Sequence, residues 1–460
     1  MSHASRLVLV SHRGPYVLRP TARGVKRERT IGGLAVALLP LVEKIGGVWI
    51  TSGESAGRYM MPPRKPRFEL RYLPLTAEQK QGFYYGLSNN ALWPLCHSFL
   101  GRVHYDLAEW NMYEQVNSEF ARAALEEADE ADLIWVHDYQ MARVPFFIRE
   151  RRSLSRLMFF WHIPFPPIEI FRTLPWRRAL LEGLLACDLI GFHIPEYARN
   201  FIDSAVELLG AQADGDFLHY AGRTTQVIAR PIGIDFAAMD SMARLPQTEA
   251  RVQQLHGALG GNTLIIGVER MDYTKGIVER LRGVEHLLEQ HPGWRGRFSL
   301  MQIVTPSRDG VEAYRQKKRE IDEMVGRVNG RFSDGIWIPV RYQNRSLSPA
   351  ELVAYYRTAD IALVTPLRDG LNLVAKEYVA SRIHNDGIVI LSEFAGVAGQ
   401  LREAIITNPY SQEDVAAAIL QALQMPKAEQ RQRMAMMRAR VKAQDIRWWV
   451  DGFLNYFDHV

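Results

Sequence analysis

Two acidic residues set among turn-formers mark the first candidate chemistry, in Leu363-Val364-Thr365-Pro366-Leu367-Arg368-Asp369-Gly370-Leu371-Asn372-Leu373-Val374-Ala375-Lys376-Glu377. The apolar run Ile361–Val364 reads as a buried strand, after which the chain turns through Pro366 and Gly370 and enters a helix. In open α/β sheets, ligands bind beyond the carboxyl ends of strands, where such turns lie. The free N–H groups of a helix N-terminus suit phosphate. Asp369 and Glu377 would repel phosphate but suit sugar and ribose hydroxyls. The stretch therefore predicts a sugar-nucleotide site, with hydroxyls on acids and phosphates on backbone and basic groups.

Basic groups occur in equivalent places. In Val268-Glu269-Arg270-Met271-Asp272-Tyr273-Thr274-Lys275-Gly276, Arg270 and Lys275 follow a strand and precede a helix, where two cations can neutralise a diphosphate leaving group. Arg308, in Thr305-Pro306-Ser307-Arg308, and Arg13 follow other strands. Arginine is suited to bidentate phosphate recognition, although each of these two alone reads first as an ordinary surface charge, until they are seen together. Gly32-Gly33 lets phosphate approach the backbone, or serves a simple tight turn. There is no G-x-G-x-x-G, which disfavours a nicotinamide dinucleotide. Asp138 and His162 end consecutive strands and are candidates for hydroxyl recognition or proton handling. Tyr84 and Trp93 could wall a sugar ring or pack in the core. No H-E-x-x-H, cysteine cluster or carboxylate cluster suggests a metal, and no cofactor is implied.

These residues need strand ends to hold them. Apolar strands alternate with helical patterns throughout, the signature of a parallel α/β architecture. Strands are expected at Leu7–Ser11, Val48–Thr51, Leu133–His137, Leu157–Trp161, Leu189–His193 and Val227–Ile234, then at Leu264–Val268, Phe298–Ile303, Ile336–Val340, Ile361–Val364 and Ile388–Leu391. Gly14–Ile31 reads as a mobile loop, and Gly32-Gly33 as the opening of a helix from Leu34 to Ile45. Residues 236–260 lack a strong strand, so the domain change is placed there. The expected organisation is an N-terminal Rossmann-like domain over 1–240 and a second over 250–440, facing each other across a cleft. The aromatic-rich tail, 444–460, is expected to pack back on the first.

With 460 residues, 47% hydrophobic and 23% charged, the composition is that of a globular protein of two or three domains. A net charge of +5 is spread along the chain, which argues against a nucleic-acid partner. No apolar run approaches the roughly 20 residues of a membrane helix, so no membrane partner is expected. The start shows no long apolar segment of the signal-peptide kind, and Cys96 and Cys187 read as buried thiols, which fits the cytoplasm.

Taken together the motifs resemble the trehalose-6-phosphate synthase family, retaining glycosyltransferases of family 20 with the GT-B fold. The resemblance rests on Gly32-Gly33-Leu34, Tyr84 with Ser88-Asn89 and Leu92-Trp93-Pro94, Trp135-Val136-His137-Asp138-Tyr139, His162-Ile163-Pro164-Phe165-Pro166, Pro231-Ile232-Gly233-Ile234, the Glu269–Gly276 string and the Leu363–Glu377 stretch, in order over nearly the whole chain. It implies roles. Arg270 and Lys275 would bind the nucleotide diphosphate with the backbone at Gly33, Asn372 and Leu373. Glu377 would hold ribose hydroxyls, and Asp369 and His162 the donor glucose. Arg13, Tyr84, Trp93 and Arg308 would surround the acceptor phosphate, with Asp138 on an acceptor hydroxyl. The implied reaction moves glucose from UDP-glucose, or GDP-glucose, to glucose 6-phosphate. Arg270, Lys275, Asp138 and His162 would be the catalytic set, without a metal. The implied partners are small molecules only, a sugar nucleotide and a sugar phosphate, and a homo-oligomer is compatible with the sequence.

Two departures fall on the acceptor side. The family's usual Ser-Asn-Arg is Ser11-His12-Arg13, followed by a longer loop, and the second tryptophan common after Trp49 is replaced within Ile50-Thr51-Ser52-Gly53. A glucosylglycerol-phosphate synthase, with glycerol 3-phosphate as acceptor, is the main rival. A non-catalytic sugar-phosphate sensor on the same scaffold is the alternative of another class.

Overall fold

Short runs of Val, Ile, Leu and Phe bounded by turn residues suit strands buried on both faces of a parallel sheet. The computed structural model describes residues 6–21, 24–29, 38–39, 42–43, 46–54, 56–60, 68–306 and 312–458. The chain divides into two units, Met1–Pro231 with Val450–Val460, and Ile232–Trp449. The sequence placed the change slightly later, between 240 and 250.

The described strands of the first unit are β1 (Leu7–Ser11), β2 (Tyr16–Thr21), β3 (Gly24–Arg29), β4 (Gly47–Gly53), β5 (Gly57–Met60), β6 (Phe68–Pro74), β7 (Leu133–His137), β8 (Arg156–Phe160), β9 (Leu189–Phe192), β10 (Gln212–Asp214), β11 (Phe217–Tyr220) and β12 (Arg223–Ala229). Ten of them form one sheet in the order β10-β11-β12-β9-β8-β7-β1-β4-β6-β5, parallel from β12 to β6. From β1 the chain builds outward through β4 and β6, then returns to β7 on the other side of β1. The order thus reverses between β1 and β7, where the register sets Ser11 opposite His137. Such a reversal opens a crevice beyond the strands' carboxyl ends.

The second unit contributes β13 (Thr263–Arg270), β14 (Phe298–Thr305), β15 (Val340–Asn344), β16 (Ile361–Val364), β17 (Ile388–Ser392) and β18 (Ile405–Thr407). They lie in the order β15-β14-β13-β16-β17-β18, all parallel, which is the doubly wound Rossmann order. Here the reversal falls between β13 and β16. The helix Ile277–Gln290 packs Ile277, Leu281, Val284 and Leu288 inward, as their helical spacing requires.

Three details differ from the expectations. Within Gly14–Ile31, β2 and β3 pair as an antiparallel ribbon, Tyr16 opposite Arg29, instead of a loop. Pro20 is tolerated because a two-stranded ribbon leaves one edge without a ladder. The strand expected at Ile336–Val340 lies instead at Val340–Asn344. Asp334 Oδ1 accepts from the backbone N–H groups of Ile336 and Trp337, holding that segment in a turn, and Pro339 has no N–H to pair. The strand expected at Val227–Ile234 starts earlier and ends at Ala229, before Arg230-Pro231. The helix expected over Leu34–Ile45 lies largely outside the described residues, of which 38–39 and 42–43 are helical.

The C-terminal helix, Ile446–Asp458, carries its last turns into the first unit. Phe453 packs there on Trp135 and Phe160, with ring centroids at 5.3 and 5.4 Å. Both cysteines are buried free thiols. Among the described residues no helix is long and apolar enough to cross a membrane.

Candidate active site

In the second unit, the loops after β13 and β16 flank the reversal of strand order. Lys275 ends a short 3-10 turn, Tyr273–Lys275, capped by Asp272, whose Oδ1 accepts from the Thr274 backbone N–H and hydroxyl. Thr274 O accepts from Leu367 N at 2.8 Å, which ties the two loops together. Gly276 makes this junction possible: its φ is +63°, and a Cβ there would meet Thr365 O at 2.4 Å.

The Lys275 ammonium donates to Asp369 Oδ2 at 2.6 Å, and Asn372 Nδ2 donates to the same oxygen at 3.1 Å. Asn372 caps the helix Leu373–Ser381 through its Oδ1, which accepts from Ala375 N. Its backbone, at φ 82° and ψ 98°, lies in a region that side chains rarely adopt. Leu373 opens that helix, so its N–H is among those without an intrahelical acceptor. Glu377 sits one turn further on and accepts from the Tyr356 hydroxyl at 3.2 Å. Burial raises its carboxyl to about 7, against which the Tyr356 bond works. Arg270, the last residue of β13, is exposed at the strand's carboxyl end.

In the first unit, Arg13 and Asp138 follow β1 and β7 across the other reversal. Arg13 Nη2 donates to the Tyr84 hydroxyl at 2.6 Å, with the guanidinium 5.4 Å from the ring centroid. Tyr84 lies in a π-helix, Lys80–Leu92, a rare geometry that recurs at functional sites. Trp93 follows it, buried against His97 at 4.1 Å and Tyr139 at 5.9 Å. Asp138 caps the turn Tyr139–Met141 through its carboxylate and sits at φ 75°, ψ 159°, a conformation close to glycine-only. His162 follows β8 and is held neutral, first by burial and then by the neighbouring imidazoles of His137 and His193. Gly33 and Arg308 lie outside the described residues. Among the described residues no group of three or more His, Cys, Asp or Glu side chains is placed to hold a metal ion.

Two acid-and-base sets thus stand at two strand-order reversals, one with a lysine paired to an aspartate, one with an arginine bonded to a tyrosine. The family profile described as "Glycosyltransferase family 20" matches residues 5–459. The chain belongs to glycosyltransferase family 20.

The relatives of this family 20 chain are close over its whole length. It is 40% identical over 463 residues to a bifunctional trehalose-6-phosphate synthase/phosphatase of Thermoproteus tenax, covering 98% of this chain and 63% of that protein. It is 38% identical over 486 residues to a glucosylglycerol-phosphate synthase of Synechocystis sp., covering 98% of this chain and 97% of that one. A crystal structure of a UDP-forming alpha,alpha-trehalose-phosphate synthase from Burkholderia xenovorans, in complex with glucose-6-phosphate, superimposes with a TM-score of 0.91 at 33% identity, covering 99% of this chain and 100% of that one. The chain is therefore a glycosyltransferase with the GT-B fold.

In this family 20 chain the loops rest on contacts that residue types along the sequence did not announce. Arg280 is fully buried and donates to Thr365 Oγ1, Gln302 Oε1 and Glu269 Oε1 at 3.0, 3.1 and 3.0 Å. It joins the ends of β13, β14 and the loop after β16. The signal was present: a charge at 280, between Ile277 and Val284 on the inward face, must find a partner. Two sequence departures also meet. His12 Nδ1 lies 3.1 Å from Ser52 Oγ, and the ring lies 4.6 Å from Tyr84. The Ser52 hydroxyl donates to His12 O at 2.6 Å, so Nδ1 must supply the other proton. Residues 40 apart in sequence cannot announce such a bond from their types alone.

Proposed function

We propose that this glycosyltransferase moves glucose from UDP-glucose to glucose 6-phosphate with retention, releasing UDP and giving alpha,alpha-trehalose 6-phosphate. The observation that carries the reading is the Lys275–Asp369–Asn372 cluster beside the N-terminus of the helix that bears Glu377. It offers a cation and backbone N–H groups to a diphosphate, an acid to sugar hydroxyls, and a second acid to ribose.

Arg270 and Lys275 stabilise charge as the glycosidic bond to the diphosphate breaks. Asp369 and His162 take hydroxyls of the glucose, and Glu377 takes those of the ribose. Gly33 and Arg308 join the diphosphate and acceptor-phosphate contacts. Arg13, Tyr84 and Trp93 surround the acceptor phosphate, and Asp138 orients the acceptor hydroxyl. That hydroxyl oxygen attacks the anomeric carbon on the face the diphosphate leaves, and its proton passes to the leaving diphosphate. The protein supplies position and charge stabilisation, and no pair of glycosidase-type carboxylates is required. GDP-glucose is the alternative donor in this reading.

Glycerol 3-phosphate as acceptor is the second reading. It is supported by the two departures His12 and Ser52, which meet beside Tyr84, and by the 38% identity to a glucosylglycerol-phosphate synthase. Diphosphate release measured with each sugar nucleotide against glucose 6-phosphate and glycerol 3-phosphate separates the readings. Binding of both ligands without turnover would mark a sensor instead.

A further inference from the structure

Three imidazoles gather at the carboxyl ends of β7, β8 and β9: His137, His162 and His193. His137 Nδ1 lies 3.1 Å from His162 Nε2, with ring centroids 5.4 Å apart. His193 stands edge-on to His162 at 5.5 Å. The packing leaves these rings little freedom. Strand alternation puts Trp135 on the same face as His137, at 4.8 Å, and Phe453 backs Trp135. Phe160 lies against both His162 and His193, at 4.5 and 5.0 Å. His137 is fully buried, and burial lowers its imidazole to about 3. His162 is held neutral as well.

Two neutral imidazoles in N···N contact share a single proton. If His137 supplies it, His162 Nδ1 carries its own proton and donates. If His162 supplies it, His162 Nδ1 is bare and accepts. Each arrangement gives the other nitrogen of His162 one role, and passing between them requires both rings to change tautomer together. A free imidazole would alternate between two, and a sugar hydroxyl, which both donates and accepts, would then bind in two arrangements.

We propose that His137 is a positioning residue for the transfer: its bond to His162 Nε2 fixes the ring orientation and tautomer of His162, and so the kind of hydrogen bond that His162 offers a hydroxyl of the donor glucose. This rests on the assignment of His162 to the donor sugar made above.

The test uses full-length enzyme labelled with nitrogen-15 histidine, with the His162 signals assigned through His162→Gln. In the unsubstituted enzyme, His162 is expected to show one protonated and one bare nitrogen, unchanged across the neutral range. In His137→Phe, its two nitrogens should move toward averaged shifts. Donor kcat/KM should fall about tenfold, the worth of one mis-set hydrogen bond, while acceptor KM stays. His137→Asn keeps a polar side chain beside His162 Nε2 and should recover part of both. An unchanged single tautomer in both variants would overturn the proposal, whatever the activity, because the role would then be packing alone. A changed tautomer with unchanged donor kinetics would leave the lock standing and remove His162 from the donor sugar.

Discussion

Lys275 Nζ and Asp369 Oδ2 lie 2.6 Å apart across a sequence separation of 94 residues, and both are nearly buried. One comes from the loop after β13 and the other from the loop after β16, so the pair spans the strand-order reversal of the second unit. The acid that would hold the sugar also holds the cation that would face the diphosphate. Removing one partner of such a pair leaves a charge without compensation.

Lys275→Ala should therefore lower kcat by about 10² to 10³, the worth of one preorganised group at a developing anion. It should also lower the melting temperature, because Asp369 loses its counter-charge. Steady-state kinetics with UDP-glucose and a thermal melt check both. Unchanged turnover would remove Lys275 from the diphosphate.

Asn372 makes a second prediction through its backbone. At φ 82° and ψ 98° it costs about 1–3 kcal/mol, and its side chain both caps a helix and bonds Asp369. Asn372→Gly loses both side-chain bonds but relieves the backbone, so activity should fall about tenfold with little change in stability. Asn372→Ala loses the same bonds and keeps the strain, so it should be the less stable of the two. Denaturant titration beside kinetics distinguishes them.

Glu377 should make donor binding depend on pH. Ribose hydroxyls held by Glu377, as proposed, would donate to the carboxylate, so binding would favour the ionised form of a group whose carboxyl stands at about 7. Donor affinity should fall as pH drops through that value, with proton release on binding. Glu377→Gln should bind more weakly at high pH and lose that component. Calorimetry in buffers of different ionisation enthalpy reads it, and equal proton release in the variant would contradict the assignment.

The adjacent Lys376 gives a stability prediction of known sign. It is buried, its ammonium donates to Ile232 O at 2.7 Å, and burial lowers it to about 7 from 10.5. Below 7 the amine is charged in both folded and unfolded chains, and its buried charge weighs fully against the fold. As pH rises from 7 toward 10.5, the folded state binds fewer protons than the unfolded one, and the penalty fades. Lys376→Met should therefore gain most over the unsubstituted protein, in melting temperature, near pH 6 to 7, and progressively less as pH rises. A constant difference would mean that the amine does not titrate as described.

On the acceptor side, Ser52→Ala removes the hydroxyl that steadies the His12 ring beside Tyr84. Acceptor KM should rise several-fold, about 1 kcal/mol, while donor KM stays. An effect on donor KM alone would separate His12 from the acceptor.

Much of this was legible in residue types. The strand runs near Leu7, Leu133, Leu264 and Ile361 are apolar enough to name themselves, and the loops after them carry the acids and cations. The failures have physical causes. Pro20 argued for a loop where a ribbon edge accepts it, and Ile336-Trp337-Ile338 looked like a strand until the Asp334 turn and Pro339 are counted. Arg280, the His137–His162 bond and the His12–Ser52 bond arise from register and strand order, which place residues together that periodicity along one element cannot relate.

The most direct measurement is nucleotide diphosphate release from purified enzyme, with UDP-glucose fixed and the acceptor varied. Release that depends on glucose 6-phosphate, with trehalose 6-phosphate as product, is the predicted result. Release triggered by glycerol 3-phosphate and not by glucose 6-phosphate would contradict it.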